Sequence, residues 1–128
     1  PWAGRRRVTL NQLMSQPVIV REVGSGSRSC LEQALVHAGR SLHELRVTLE
    51  LGSNESIKEA VQRGLGAAVL STRAVEKEID AGKLHAVQIA GLPLSREMLV
   101  AWDRRRVLPI PAQLFLGLLE LTPAKASA

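Results

Sequence analysis

The chain has 128 residues, 45% of them hydrophobic and 23% charged, a composition that suits one ordinary globular domain and excludes disordered or collagen-like material. Its single cysteine, Cys30, rules out an internal disulfide framework and a cysteine-rich zinc site. The net charge of +5 would suit nucleic acid, but the six arginines of Arg5-Arg6-Arg7 and Arg104-Arg105-Arg106 account for all of it, and Val8 to Asp103 is nearly neutral.

After the first arginines, Thr9 and Gln12 have capping-box spacing and predict a short helix to about Ser15. Pro17 to Glu22 is apolar and β-branched, as in a buried strand. It runs into Gly24-Ser25-Gly26-Ser27, and a second capping box at Ser29 and Glu32 predicts a helix with Leu31, Ala34, Leu35 and Ala38 on one face. Gly39 sits where a C-terminal cap belongs.

The same order then repeats. Leu45 to Leu51 alternates like a strand, and Gly52-Ser53-Asn54 leads into a helix with Ile57, Ala60, Val61 and Leu65. Gly64 closes that helix, Gly66 to Leu70 is the next short strand, and Ser71-Thr72 opens a helix ended by Gly82. Leu84 to Ile89 follows as a strand. Helices ending in glycine, each followed by an apolar run, imply an α/β fold with a mostly parallel sheet covered by helices on both faces.

Beyond Gly91-Leu92-Pro93 the pattern changes. Glu97 to Trp102 is expected as a strand, and Pro111 at a first helical position starts a last helix with Leu114, Phe115, Leu118 and Leu121 on its apolar face. Pro123 ends it, leaving residues 123–128 as a disordered tail. The amount of apolar surface in residues 96–121 predicts docking on another chain.

Enzymatic and cofactor chemistry finds little support. Gly24-Ser25-Gly26 opens like a dinucleotide loop, but the third glycine is replaced by Ser29. A phosphate-gripping Gly-Lys-Ser/Thr and a Gly-x-Ser-x-Gly elbow are both missing. His37, His43 and His85 are scattered without ligand spacing, and Cys30 reads as a packing residue at a helix start. No catalytic residue, cofactor or metal is expected. The three aromatics Trp2, Trp102 and Phe115 are too few for a base-stacking platform, so the arginine triplets read as solvated loops.

A binding architecture remains. The turns Gly24-Ser25-Gly26-Ser27-Arg28 and Gly52-Ser53-Asn54-Glu55 both follow strands of one parallel sheet, so they share its carboxyl edge, where ligands of open α/β sheets bind. Free N–H groups and the positive helix ends attract carboxylate, sulfate or phosphate, and Arg28 could clamp such a group. Ordinary N-caps would look the same at either turn alone.

The runs Pro17 to Arg28, Leu49 to Val61 and Gly64 to Ser71, with Ala81-Gly82-Lys83-Leu84, Gly91 to Arg96 and Pro111 to Leu119, together resemble the effector-binding region of LysR-type transcriptional regulators, most closely those of sulfur or carbon-fixation genes. The resemblance implies a Rossmann-like three-layer sandwich of the periplasmic-binding-protein type II, with two subdomains joined by crossing strands. On that pattern residues 1–8 are a crossover, 9–94 form subdomain two, and 95–122 return to subdomain one. The effector would contact Gly52, Ser53, Asn54 and Glu55, with Gly24, Ser25 and Arg28 nearby and a hinge at Glu22, Leu94 and Ser95. Related members often carry threonine where this loop has Ser53.

The implied protein is a cytoplasmic homo-oligomer, a dimer or tetramer, that senses a small, anionic effector and binds promoter DNA through a separate N-terminal domain. No export signal or membrane-length apolar run is expected to take it elsewhere. Pro1 at the start suggests a piece of a longer polypeptide. The alternative from another class is the solute-binding domain of a transport system; an α/β transferase on the same bilobal fold would need a catalytic Asp or Cys in the cleft.

Overall fold

The computed structural model describes residues 2–96, 98–103 and 105–119. They form two compact units, one ending at Arg96 and one made of the residues after it.

In the first unit the elements run β1 (Arg7–Thr9), α1 (Leu10–Met14), β2 (Val18–Arg21), α2 (Gly26–His37), β3 (Val47–Leu51), α3 (Asn54–Gln62), β4 (Ala67–Ala68), α4 (Thr72–Asp80) and β5 (Gln88–Ala90). A single 3-10 turn, Leu42–Glu44, precedes β3. The strands lie in the order β3-β2-β4, with β1 and β5 as a separate pair, and every pairing among the described residues is parallel. The alternation expected from sequence is therefore present.

Strand β2 fixes the layering. Val18 and Val20 join Leu13, Leu31, Ala34, Leu35, Leu45 and Leu92 in one core, whereas Ile19 packs with Ile57 and Ala60 in another. Successive strand residues point to opposite faces, so α2 covers one side of β2 and α3 the other. All three β2 residues are nearly inaccessible, which explains an uninterrupted apolar run in place of an alternating one.

The helix-ending glycines fall where sequence puts them. Gly39, Gly64 and Gly82 have φ near +70°, with values of 69°, 76° and 67°. In each case the following N–H returns to the carbonyl five residues earlier: Arg40 to Leu35, Leu65 to Ala60, and Lys83 to Glu78. These are Schellman closures. The Thr9–Gln12 capping box is complete in both directions.

Several boundaries differ. Helix α2 starts at Gly26 with Ser25 as its cap. Ser29 donates its backbone N–H to the Ser25 carbonyl (2.9 Å) and so lies inside the helix. Its supposed box partner Glu32 is engaged by Arg28 instead. Strand β3 begins two residues later than expected because the 3-10 turn absorbs Leu45, whose N–H bonds the Leu42 carbonyl. Strands β4 and β5 are shorter than their apolar runs, since a ladder extends only as far as its partner does. Strand β1 was not anticipated: Arg7-Val8-Thr9 pairs with Gln88-Ile89-Ala90.

In the second unit, α5 (Ile110–Leu118) has Pro109 as its cap and Pro111 in its first turn, one position later than expected. Of the strand expected over Glu97 to Trp102, Glu97 lies outside the described residues and Met98 to Trp102 does not form a strand; extended backbone becomes a strand only where another backbone pairs with it, and none of the described residues does. The expected apolar face is largely open, with Leu114, Phe115 and Leu118 exposed and Leu116 buried. Leu121, Pro123 and the tail to residue 128 lie outside the described residues.

Candidate functional site

Parallel pairing delivers two turns to one edge. Arg21, the last residue of β2, is in register with Leu51, the last residue of β3. The chain therefore leaves both strands side by side, through Glu22 to Ser25 after one and Gly52-Ser53 after the other. The Ser25 N–H closes the first turn on the Glu22 carbonyl at 3.1 Å, with Gly24 at φ 90°; a positive φ at the third position is the form that selects glycine.

Both turns start helices. Ser53 caps α3, its Oγ accepting the Ser56 N–H at 3.1 Å. Ser25 caps α2 by position alone, without a side-chain bond, and is itself buried. Among the described residues the Asn54 and Glu55 N–H groups have no protein acceptor, as the first turn of a helix requires.

A network of charged side chains ties these pieces together. Arg21 donates Nε–H and Nη2–H to the two Glu22 carboxylate oxygens (2.7 and 2.8 Å) and Nη1–H to Asn54 Oδ1 (2.5 Å). Arg28 donates Nε–H to Glu32 (2.8 Å) and Nη1–H to both Glu50 (2.6 Å) and the Arg21 carbonyl (3.2 Å). The hydrogen bonds from Arg21 hold the Glu22 carboxyl below the usual carboxylate range. Glu32 and then Glu50 raise the already high pKa of the Arg28 guanidinium.

The residues singled out from sequence thus divide. Glu22, Gly24, Ser25, Arg28, Gly52, Ser53 and Asn54 lie in or beside these two turns. Glu55 turns its carboxylate to Lys58 Nζ at 2.8 Å. Of the hinge residues on the return segment, Ser95 accepts a long hydrogen bond (3.5 Å) from the Cys30 thiol on α2, while Leu94 is partly exposed. The neighbouring Arg96 lays its guanidinium against Gly26, where any side chain would collide with it. Arg21 was missed: it reads as the polar end of a strand, and its one signal is its register with Leu51, the last residue before the loop that follows β3.

Among the described residues the first arginine run takes no part in the hydrogen bonds of these turns. Arg5 and Arg6 are exposed and Arg7 is in β1, with His85 Nε2 on the Arg5 carbonyl at 2.9 Å. Arg105 and Arg106 pair with Asp103 in the second unit, and Arg104 lies outside the described residues. No helix among the described residues is long and apolar enough to cross a membrane.

Comparison with known proteins agrees with this architecture. The chain is 38% identical over 106 residues to the transcriptional regulator CbbR of Xanthobacter flavus, covering 82% of this chain and 31% of that protein. It is 33% identical over 119 residues to the transcriptional activator CmpR of Synechocystis, covering 93% and 38%. Both are regulators, and the chain spans about a third of their length. Among solved structures, the regulatory domain of CcmR from Synechocystis PCC6803, determined in complex with 2-PG, superposes with a TM-score of 0.78 at 34% identity, over 93% of this chain and 56% of that one. The type II periplasmic-binding-protein-like α/β fold is common to both. With the family model for the LysR substrate binding domain matching residues 1–122, the chain belongs to that family.

Proposed function

We propose that this chain is the effector-sensing part of a LysR-type DNA-binding transcriptional regulator and that it binds a small anionic metabolite at the carboxyl edge of its sheet. The single observation that carries the reading is the register of Arg21 with Leu51, which sets the starts of α2 and α3 side by side. Uncommitted N–H groups of Asn54 and Glu55, the Ser53 hydroxyl and the positive helix ends suit an anion. Similarity to a regulatory domain solved with 2-PG supports the same chemistry.

In this reading Gly52, Ser53, Asn54 and Glu55 contact the effector, Gly24, Ser25 and Arg28 border it, and Glu22, Leu94 and Ser95 flex. The domain does no catalysis. It works in the cytoplasm, within a homo-oligomer that meets promoter DNA through a separate N-terminal domain. An effector changes DNA binding only if it prefers one arrangement of the regulator over another.

Calorimetric titration of the chain with 2-PG tests the site. Saturable binding is expected, weakened about tenfold in Ser53→Ala and in Asn54→Ala by loss of a hydrogen bond to a charged group. Unchanged affinity in both variants would sink the assignment.

A further inference from the structure

The guanidiniums at the proposed site are already neutralised. Arg21 and Arg28 face three carboxylates, Glu22, Glu32 and Glu50, and are themselves largely covered, with 17% and 15% of their side chains exposed. An anion added to this intact network would meet a surplus of negative charge at short range, which repels it. Some carboxylate has to give way first.

The geometry singles out which one. Arg28 spreads its donors in different directions: Nε to Glu32 on its own helix, Nη1 to Glu50 and to the Arg21 carbonyl. No single incoming group replaces those partners together. Arg21 instead presents Nε and Nη2 as one fork, filled by the two oxygens of Glu22. That fork matches a carboxylate or a phosphate equally well. Glu22 keeps 40% of its side chain exposed, so it can leave for water without crossing a buried barrier. The third arm of Arg21, Nη1, stays on Asn54 in the loop after β3.

Resting on the effector site proposed above, we infer that the anion binds by exchange: it takes the place of the Glu22 carboxylate on the Arg21 fork while Arg21 keeps its bond to Asn54. Arg21 is then the specificity-determining residue, selecting ligands with two oxygens in one plane. The displaced Glu22 heads the Glu22–Ser25 turn, so occupancy of the fork is reported directly to the turn that starts α2.

The test is isothermal titration of the chain with inorganic phosphate and with 2-PG at fixed ionic strength. Glu22→Gln keeps the shape and removes the competing charge, and it is expected to bind about tenfold tighter than the unmutated chain, since a self-occupied site lowers apparent affinity by its free fraction. Arg21→Met is expected to lose tenfold or more, roughly the worth of hydrogen bonds to a charged group, and Arg21→Lys, lacking the fork, is not expected to restore it. Urea midpoints report whether each variant folds. If Arg21→Met does not, the Arg21 Nε–H resonance of the unmutated chain serves instead; its failure to shift on phosphate addition overturns the exchange. Binding that Glu22→Gln leaves equal or weaker also overturns the exchange and spares the site. Absence of saturable binding of either probe to the unmutated chain overturns both.

Discussion

Lys58 on α3 donates a hydrogen bond of 2.9 Å to Glu78 on α4, from a side chain only 9% exposed. Glu55, in the first turn of α3, accepts from the same ammonium at 2.8 Å. A lysine is rarely covered to this degree without partners, and here two carboxylates supply them. The arrangement ties α3, which starts at the proposed site, to its neighbouring helix.

This pairing predicts a pH dependence of stability. The hydrogen bond from Lys58 holds the Glu78 carboxyl below its ordinary range, so its contribution is present above the carboxylate range and lost as pH falls through the depressed value. Lys58 is raised, chiefly by Glu55 and then Glu78, so its contribution persists below the ordinary lysine range and is lost as pH rises past the raised value. Urea denaturation of Lys58→Met against the unmutated chain should show a deficit at neutral pH that closes as pH falls through the depressed Glu78 value. A deficit independent of pH would show that packing alone is at work.

Gly66 is expected to resist substitution. A Cβ there would stand 2.7 Å from the Pro17 carbonyl oxygen and 3.2 Å from Ile19 Cγ1. That same carbonyl accepts the Ala67 N–H at 2.9 Å, so relief of the clash spoils the join between β2 and β4. Gly66→Ala should cost about 1–3 kcal/mol, the usual range for overpacking. Gly52→Ala, where the added carbon meets nothing within 4 Å, should leave the urea midpoint nearly unchanged.

Ile57 is fully buried against Ile19. Truncating it to alanine removes the main contact of α3 with the sheet and leaves a cavity. A loss of about 2–5 kcal/mol is expected by chemical denaturation, with an unchanged m-value if only stability is affected.

Helix caps should separate by their bonds. Ser53 accepts the Ser56 N–H, whereas Ser71 caps α4 without a side-chain bond and is exposed. Ser53→Ala should therefore cost about 1 kcal/mol, and Ser71→Ala should stay within about 0.5 kcal/mol, as surface changes do. Equal losses in thermal melts would contradict the assignment of the Ser53 bond.

Much of this fold was legible because its signals are local. Gly39, Gly64 and Gly82 mark helix ends by backbone preference alone, and Thr9 with Gln12 carries its own cap. What was illegible depends on distant partners. Arg7-Val8-Thr9 is a strand because Gln88 to Ala90 lies beside it, and three residues flanked by arginine carry no period of their own. Met98 to Trp102 shows the reverse, an apolar run with no pairing strand among the described residues. The two turns of the candidate site could be placed from strand order. The role of Arg21 could not, since it arises from register with Leu51 and a reach to Asn54, 33 residues away. Ser29 misled because Ser25, four residues earlier, offers a competing cap.

Strand β2 is a party wall between two apolar rooms. Val18 and Val20 face one and Ile19 the other, so emptying either room leaves the wall greasy and wet on that side. The rooms therefore have no independent melting point: they should be lost in one cooperative event, and the amides of Val18 to Val20 should be among the last in the unit to exchange with solvent.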